Sequence, residues 1–299
     1  MRKEGIMTKP KSIESEGEKF LAKEADDVSE GNGPEASRME KRVWIRLPVR
    51  HNHRLLEVIN RVNADSELYT LWEVVNVNAV RRQGMSDHGP VHMQIVANIA
   101  LKLLRSLIEH GVQPSVVVDH SLTNEDAELI VVLASLTHDL GMSIHRQDHE
   151  QYSLFLSRPK IYELLEGLYD TPARTIIASE ILHAIIAHRA DGYPLTLEAG
   201  ILRVADSLDM AEGRTRIPFE AGEVNIHSIS AAAIEKVTIE KGEAKPIRIV
   251  VRMNNSAGIF QLDELVKKKL KGSRLEPYVE VKATIEGKSE KKLVQTFEL

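Results

Sequence analysis

Residues 123–141 read TNEDAELIVVLASLTHDLG, and this stretch decides the fold. Its first threonine stands three residues before an aspartate, a spacing that predicts a capping box at the start of a helix. The run LIVVLASL at 129–136 is apolar on every side of a helix, which is typical of a helix buried in the centre of a protein. The helix ends at an adjacent imidazole and carboxylate, His138 and Asp139. Because such groups are costly to bury alone, we expect them to be paired or bound to a cation.

Helical spacing of apolar residues extends to both sides of this segment. The stretch PVHMQIVANIALKLLRSLIEH at 90–110 opens on a proline suited to the first turn of a helix, and Gly111 follows its end. Further helices are predicted at two places over 54–80, and at about 147–157, 159–168, 172–189 and 196–211. The chain from about 45 to 213 therefore reads as all-helical.

After residue 213 the apolar pattern alternates as in half-buried strands. Strands are predicted near 237, 246, 278 and 292, with one helix at 261–272 between the second and third. The first forty residues are rich in Glu, Lys, Ser, Asp and Gly, a composition that disfavours a packed core. We predict a mainly α fold: a flexible tail over 1–42, an all-helical domain over 43–215, and a small α+β domain over 216–299 built as two strands, a helix and two strands.

The composition limits the chemistry that the chain can carry. It has 299 residues and lacks cysteine, which excludes disulfides, thiolate nucleophiles and Cys-based zinc sites. Nine of its 12 histidines fall between His88 and His188. A net charge of -5 disfavours nucleic acid as a partner. Because apolar stretches stay short of the roughly 20 residues that span a bilayer, and the N-terminus lacks the apolar core of a secretory signal, we expect a cytoplasmic protein without a membrane partner.

Four residues stand out as candidate metal ligands. His92 lies on the first long helix, His138 and Asp139 end the buried helix, and Asp206 follows the apolar run ILRVA. Imidazole and carboxylate together make a mixed nitrogen and oxygen site that suits Mn, Fe, Zn, Co, Ni or Mg. The sequence therefore predicts a site for a divalent metal ion whose identity stays open.

The order His, His-Asp, Asp resembles the HD-domain superfamily of metal-dependent phosphohydrolases. The motifs that carry the resemblance are LTHDLG at 136–141 and RVADSLD at 203–209, and it covers roughly residues 85–213. The resemblance implies that one metal ion is held by His92, His138, Asp139 and Asp206. It also implies a catalytic role for Asp139, which would bridge to a second ion.

Two further segments resemble HD-GYP-type members of that superfamily, in which two metals are bound. The segment 145-HRQDHEQYSLFL-156 places His149 where a histidine ligates the second metal. The segment 183-HAIIAHRADGYP-194 is similar to another such region but lacks its doubled histidine. His183 and His188 stand five apart, about 140° around a helix, so only a helix that ends or distorts near His188 could direct both to one cluster. We favour His188 as the ligand and keep His183 as its rival.

The segment 88-HGPVH-92 resembles the HNxxH sequence of cyclic-nucleotide phosphodiesterases, with Gly89 replacing the asparagine. That likeness implies a proton-donor role for His88. One or two divalent cations would lower the pKa of bound water toward about 7, and the resulting hydroxide would attack phosphorus. Arg146 and Arg189 could hold phosphate oxygens in the same space. We expect a phosphohydrolase that hydrolyses a phosphate ester, with a small-molecule nucleotide as the substrate class.

Other interpretations stay open for several features. Asp209 suits an ordinary helix cap or ion-pair partner, and the run KKKLKG at 267–272 a solvated helix face. A basic patch for nucleic acid is the alternative there, but stacking aromatics are missing from the run. The small and apolar residues of 223–237 suit packing against the helical domain or a homodimer contact. The alternative function is a non-catalytic nucleotide or metal sensor that signals through the C-terminal α+β domain.

Overall fold

The computed structural model describes residues 42–189, 191–210, 230 and 232–285. In these ranges, eight helices precede a three-stranded sheet. The helices are α1 (His53–Ala64), α2 (Ser66–Asn76), α3 (Pro90–Glu109), α4 (Ser115–His120), α5 (Asn124–Thr137), α6 (His149–Leu164), α7 (Thr171–Ala187) and α8 (Leu197–Ser207). A π-helical turn (Val77–Arg82) continues α2, and a 3-10 turn (Leu140–Ser143) follows α5. The mainly α fold is confirmed, and the tail predicted over 1–42 lies, apart from Arg42, outside the described residues.

Helix α5 is the centre of the helical part. Its capping box is present: the Thr123 side chain accepts from the Asp126 backbone, and the Asp126 side chain accepts in return. Every residue from Asp126 to Thr137 is buried, and α5 contacts α3, α7 and α8. The Trp72 indole of α2 donates to the Leu136 carbonyl at 2.9 Å, which satisfies a backbone acceptor at the carboxyl end of α5. The end of α5 is therefore held by its neighbours.

One predicted helix boundary is wrong. The two helices expected at 147–157 and 159–168 form the single helix α6, which contains Pro159 in its interior. A proline removes one helical hydrogen bond, but the buried face of Ser153, Ser157 and Ile161 continues across it at intervals of four residues. Packing of this face outweighs the local cost of the proline.

Helix α3 has 20 residues, and an 18-residue window within it has a mean hydropathy of 1.3, so by length and composition it could cross a membrane. This differs from the expectation that apolar stretches are too short. Half of that apolar window is buried inside the protein, and α3 packs against α5 and α8. These contacts are those of a core helix.

The C-terminal part forms a mixed sheet. Strand β1 (Ile234–Lys241) pairs antiparallel with β2 (Ile247–Met253), and β2 pairs parallel with β3 (Val279–Ile285). A parallel pair requires a crossover connection. Helix α9 supplies it as three consecutive segments, Gly258–Gln261, Leu262–Lys267 and Lys268–Leu270.

Several predictions for this part fall outside the described residues. They concern the fourth strand near 292, the domain boundary at 215 and most of the packing or dimer segment at 223–237. They stay predictions. Among the described residues, the inward side chains of the sheet, such as Ile247 and Val251, belong to the same apolar core as the helices.

Candidate metal centre

The end of α5 places the first two site residues. His138 follows the last turn of α5, and its Nδ1 lies 2.8 Å from the Ser135 carbonyl oxygen. Asp139 comes next and precedes the 3-10 turn. Gly141 lies in this turn against α6, where an added Cβ would lie 2.0 Å from the His149 carbonyl oxygen. Only glycine permits this approach, which brings the start of α6 to the end of α5.

His92 reaches the same point from the first turn of α3, which Pro90 begins. Its Nε2 lies 3.3 Å from Nε2 of His138. Its Nδ1 lies 2.6 Å from Oδ2 of Asp209, a residue that follows α8. The Asp209 carboxylate therefore orients the His92 ring, as carboxylates orient metal-bound histidines in proteins.

Asp206, in the last turn of α8, completes one side of the site. Its Oδ1 lies 3.5 Å from Nε2 of His92 and 3.6 Å from Nε2 of His138. Its Oδ2 pairs with the Lys269 ammonium of α9. The two oxygens of Asp206 thus have different environments, one facing the imidazoles and one facing a lysine.

Asp139 connects this side of the site to a second side, which is formed by His149 and His188. Its Oδ2 lies 3.4 Å from Nε2 of His138 and 3.7 Å from Nε2 of His92. Its Oδ1 lies 3.0 Å from Nε2 of His149 and 3.7 Å from Nε2 of His188. We call the six residues that meet here the His/Asp cluster: His92, His138, Asp139, His149, His188 and Asp206.

The structure places His188, rather than its rival, in the cluster. Helix α7 ends at Ala187, and His188 follows with its Nδ1 2.6 Å from the Ile185 carbonyl oxygen. His183 turns elsewhere, and its Nε2 accepts the backbone N–H of Leu195 at 2.9 Å. The helix does end near His188, yet it directs His188 and not His183 to the site.

The charges of the cluster favour metal-ligating protonation states. Burial raises the pKa of Asp139, but the imidazoles of His138 and His149 outweigh it and hold that pKa well below its usual range. Burial likewise acts on Asp206, whose pKa the Lys269 ammonium and His138 hold well below its usual range. Burial, with His138 and Lys269 adding to it, lowers the pKa of His188 well below its ordinary value. At neutral pH both carboxylates are ionised and His188 is neutral.

The pKa of His149 moves the other way. Burial lowers it, but the hydrogen bond to Asp139 outweighs burial and raises it. A metal ion taken up at Nε2 of His149 would therefore displace a proton from this bond.

The donor set fits a divalent metal ion. The Nδ1 atoms of His92 and His138 face a carboxylate and a carbonyl oxygen, which can only accept, so each ring carries its proton there. With Nδ1 of each ring engaged in this way, the two Nε2 atoms, 3.3 Å apart, are the ring atoms that would ligate a cation. Ligand atoms bound at about 2.1 Å lie roughly 3.0 to 3.4 Å apart around one ion. The cluster separations are close to that range.

Three further predicted site residues lie around the cluster. The His88 ring centroid is 5.2 Å from that of His92, and Nδ1 of His88 lies 2.7 Å from the Ser86 carbonyl oxygen. The Arg146 guanidinium lies 2.8 Å from Nδ1 of His149. Arg189 pairs with Asp191 at 3.1 Å and with Asp148 at 3.8 Å. His88 and Arg146 thus lie beside cluster residues, Arg189 directly follows His188 in the chain, and the roles of all three stay predictions.

Two functional candidates escaped the sequence interpretation. Asp209 is the ion-pair partner that one interpretation allowed, but nothing in its motif identified His92 as that partner. Lys269 was assigned to a solvated helix face. A signal for its burial exists: Lys269 follows Leu262 by seven residues and Val266 by three, which places it on the apolar face of α9.

Comparisons with known proteins agree with this geometry. Residues 91–211 match the family model described as HD domain. An uncharacterized protein, MJ1020, from Methanocaldococcus jannaschii is 40% identical over 222 residues, which span 74% of this chain and 86% of that protein. The match to the HD model covers all six residues of the His/Asp cluster. The chain therefore belongs to the HD-domain superfamily, whose members are mostly metal-dependent hydrolases.

Proposed function

We propose that this protein is a metal-dependent phosphohydrolase that cleaves a phosphate ester, with a nucleotide as the substrate class. The observation that carries the proposal is the convergence of four buried imidazoles, the buried Asp139 carboxylate and the partly buried Asp206 carboxylate in one cluster. Asp139 presents one oxygen to each side of this cluster. Such a site suits one or two divalent ions, and Mn, Fe, Co, Ni, Zn and Mg all bind this donor set.

The outer residues supply what phosphate hydrolysis needs besides the metal. When bound, a divalent ion acidifies water and neutralises charge on phosphate oxygens. Nδ1 of His88 lies on the Ser86 carbonyl oxygen, so the doubly protonated ring would carry its second proton at Nε2, from where it would pass to a leaving oxygen. We assign the orientation of an anionic substrate to the guanidinium groups of Arg146, which lies beside His149, and Arg189, which pairs with Asp148.

The test is turnover by the full chain after reconstitution with each metal in turn. The panel contains nucleoside mono-, di- and triphosphates, cyclic mono- and dinucleotides, and nitrophenyl phosphate esters. We expect hydrolysis of at least one member, lost in Asp139→Ala and retained in Asp119→Ala, an exposed residue of α4.

Turnover that does not exceed the Asp139→Ala background with any metal would contradict the proposal. A nucleotide that raises the melting temperature without being consumed would favour the sensor function instead.

A further inference from the structure

Three consecutive lysines of α9 have different environments. Lys267 pairs with Asp263 and Lys268 with Glu264, each four residues earlier on the same helix, and both lysines are exposed. The Lys269 side chain is only 12% exposed and pairs with Asp206 of the His/Asp cluster. The first two are surface ion pairs of the kind that contribute little to stability. Lys269 instead brings its charge to the site.

Contacts between α8 and α9 hold Lys269 in this position. The Arg203 guanidinium of α8 donates to the carbonyl oxygens of Lys268, at 3.2 Å, and Gly192, at 2.6 Å. Gly200 of α8 lies directly against the chain after α9, where an added Cβ would be 1.8 Å from the Ser273 carbonyl oxygen. The packing of α8 against α9 therefore fixes the position of the Lys269 ammonium, which is not a mobile group on the surface.

Metal binding alone does not account for this lysine. Oδ2 of Asp206 contacts the ammonium, while Oδ1 faces the two imidazoles. A divalent ion held by Oδ1 would share the Asp206 charge with Lys269, and the two cations would repel each other. The ammonium therefore opposes metal binding, and an anion that contacts both cations would remove this cost.

We propose that Lys269 binds the phosphate of the substrate, so that helix α9 of the C-terminal part completes the site formed by the helical part. This proposal rests on the proposed phosphohydrolase function and deepens it. The three donors of an ammonium suit non-bridging phosphate oxygens. We therefore expect the site to select substrates whose phosphate carries anionic non-bridging oxygens next to the ester bond that is cleaved.

The experiment is a calorimetric titration of inorganic phosphate into the Mn²⁺-loaded full chain. A separate titration measures Mn²⁺ affinity. Lys269→Met is compared with Lys268→Met, the adjacent exposed lysine, and with Lys269→Arg, which keeps the charge. We expect Lys269→Met to bind phosphate at least tenfold more weakly and Mn²⁺ as tightly as the unmodified chain or more tightly. Lys268→Met should match the unmodified chain, and Lys269→Arg should retain most of its affinity. Lys269→Gln serves the same purpose if the methionine variant does not fold.

Two results would overturn the inference alone. Equal phosphate affinity in Lys269→Met and the unmodified chain would show that the ammonium does not contact phosphate. Weaker Mn²⁺ binding in Lys269→Met would show that the lysine acts only by positioning Asp206. Absence of phosphate binding by the unmodified Mn²⁺-loaded chain would also overturn the inference, whereas the proposed function fails only if turnover is absent, so the two failures are distinguishable.

Discussion

Two polar clusters of this protein differ in whether their own residues satisfy all of their polar atoms. In the first, which we call the Glu128 cluster, the Glu128 carboxylate accepts from Arg105 at 2.7 Å and from Asn52 at 3.2 Å, with His51 at 3.1 Å. In the His/Asp cluster, the Nε2 atoms of His92 and His138 face each other at 3.3 Å.

The comparison distinguishes a polar cluster that is satisfied by its own residues from one that a cation could complete. A carboxylate with a donor on each oxygen needs nothing further from outside the chain. Imidazole nitrogens and carboxylates that converge in a buried site are costly unless they share protons or a cation. Burial of charge is common to both clusters, so burial alone does not identify the functional one.

The largest expected difference lies in the response to metal. Mn²⁺ at about a thousand times its dissociation constant should stabilise the unmodified chain by about 4 kcal/mol. Asp139→Ala should lose most of this effect, because Asp139 contacts both sides of the His/Asp cluster. Melting curves with and without Mn²⁺ measure it, and an equal Mn²⁺ shift in both proteins would rule out a ligand role for Asp139.

A smaller effect is expected at Asp209, which contacts His92 rather than the centre of the cluster. Asp209→Ala should weaken Mn²⁺ binding by about 10- to 100-fold without abolishing it, because the carboxylate orients the ligating ring. Competition with a fluorescent chelator measures the affinity. Complete loss of binding would make Asp209 a ligand, and unchanged affinity would remove its orienting role.

The Glu128 cluster should respond in the opposite way. Glu128→Gln should lower the free energy of unfolding by about 1 to 3 kcal/mol, because the Arg105 guanidinium loses its charged partner, and should leave Mn²⁺ affinity unchanged. Glu125→Gln, an exposed change on the same helix, is the matched control. Chemical denaturation measures stability, and a change in metal affinity would link the two clusters.

The smallest expected effect is the pH dependence of the stability difference between the unmodified chain and Glu128→Gln. Burial raises the pKa of Glu128, but hydrogen bonds from Arg105 and Asn52 outweigh it and hold the pKa below its ordinary value of 4.5. A carboxylate with a lowered pKa stabilises the fold above its unfolded-state value, and this contribution is lost as the pH falls through the folded value. The stability gap between the unmodified chain and Glu128→Gln should therefore be constant near neutrality and shrink below about pH 4.5. A gap that widens in acid would contradict this assignment.

Much of the helical part was predictable because its signals are local. The apolar run before His138, the capping threonine and the HD motif all lie within one stretch of chain. The continuity of helix α6 was not predictable, because Pro159 is a local signal for a break. The packing of Ser157 and Ile161, which keeps the helix continuous, depends on the whole fold.

The same distinction applies to the site. His92, His138, Asp139 and Asp206 lie in recognisable motifs, whereas the pairing of Asp209 with His92 joins residues 117 apart in the chain. The approach of Lys269 to Asp206 depends on how α9 docks on α8, a tertiary contact that the periodicity of a single helix does not specify.

The central claim is that the His/Asp cluster is a metal centre with two sides joined by Asp139. The number of Mn²⁺ ions bound per chain tests this claim most directly. Calorimetric titration with electron paramagnetic resonance counts the ions and detects coupling between them. We predict two coupled ions in the unmodified chain, one in His149→Ala, and two in His183→Ala, whose histidine faces Leu195 instead. No bound ion in the unmodified chain would contradict the account, whereas a single ion there, or an unchanged count in His149→Ala, would contradict the bridging of two ions by Asp139.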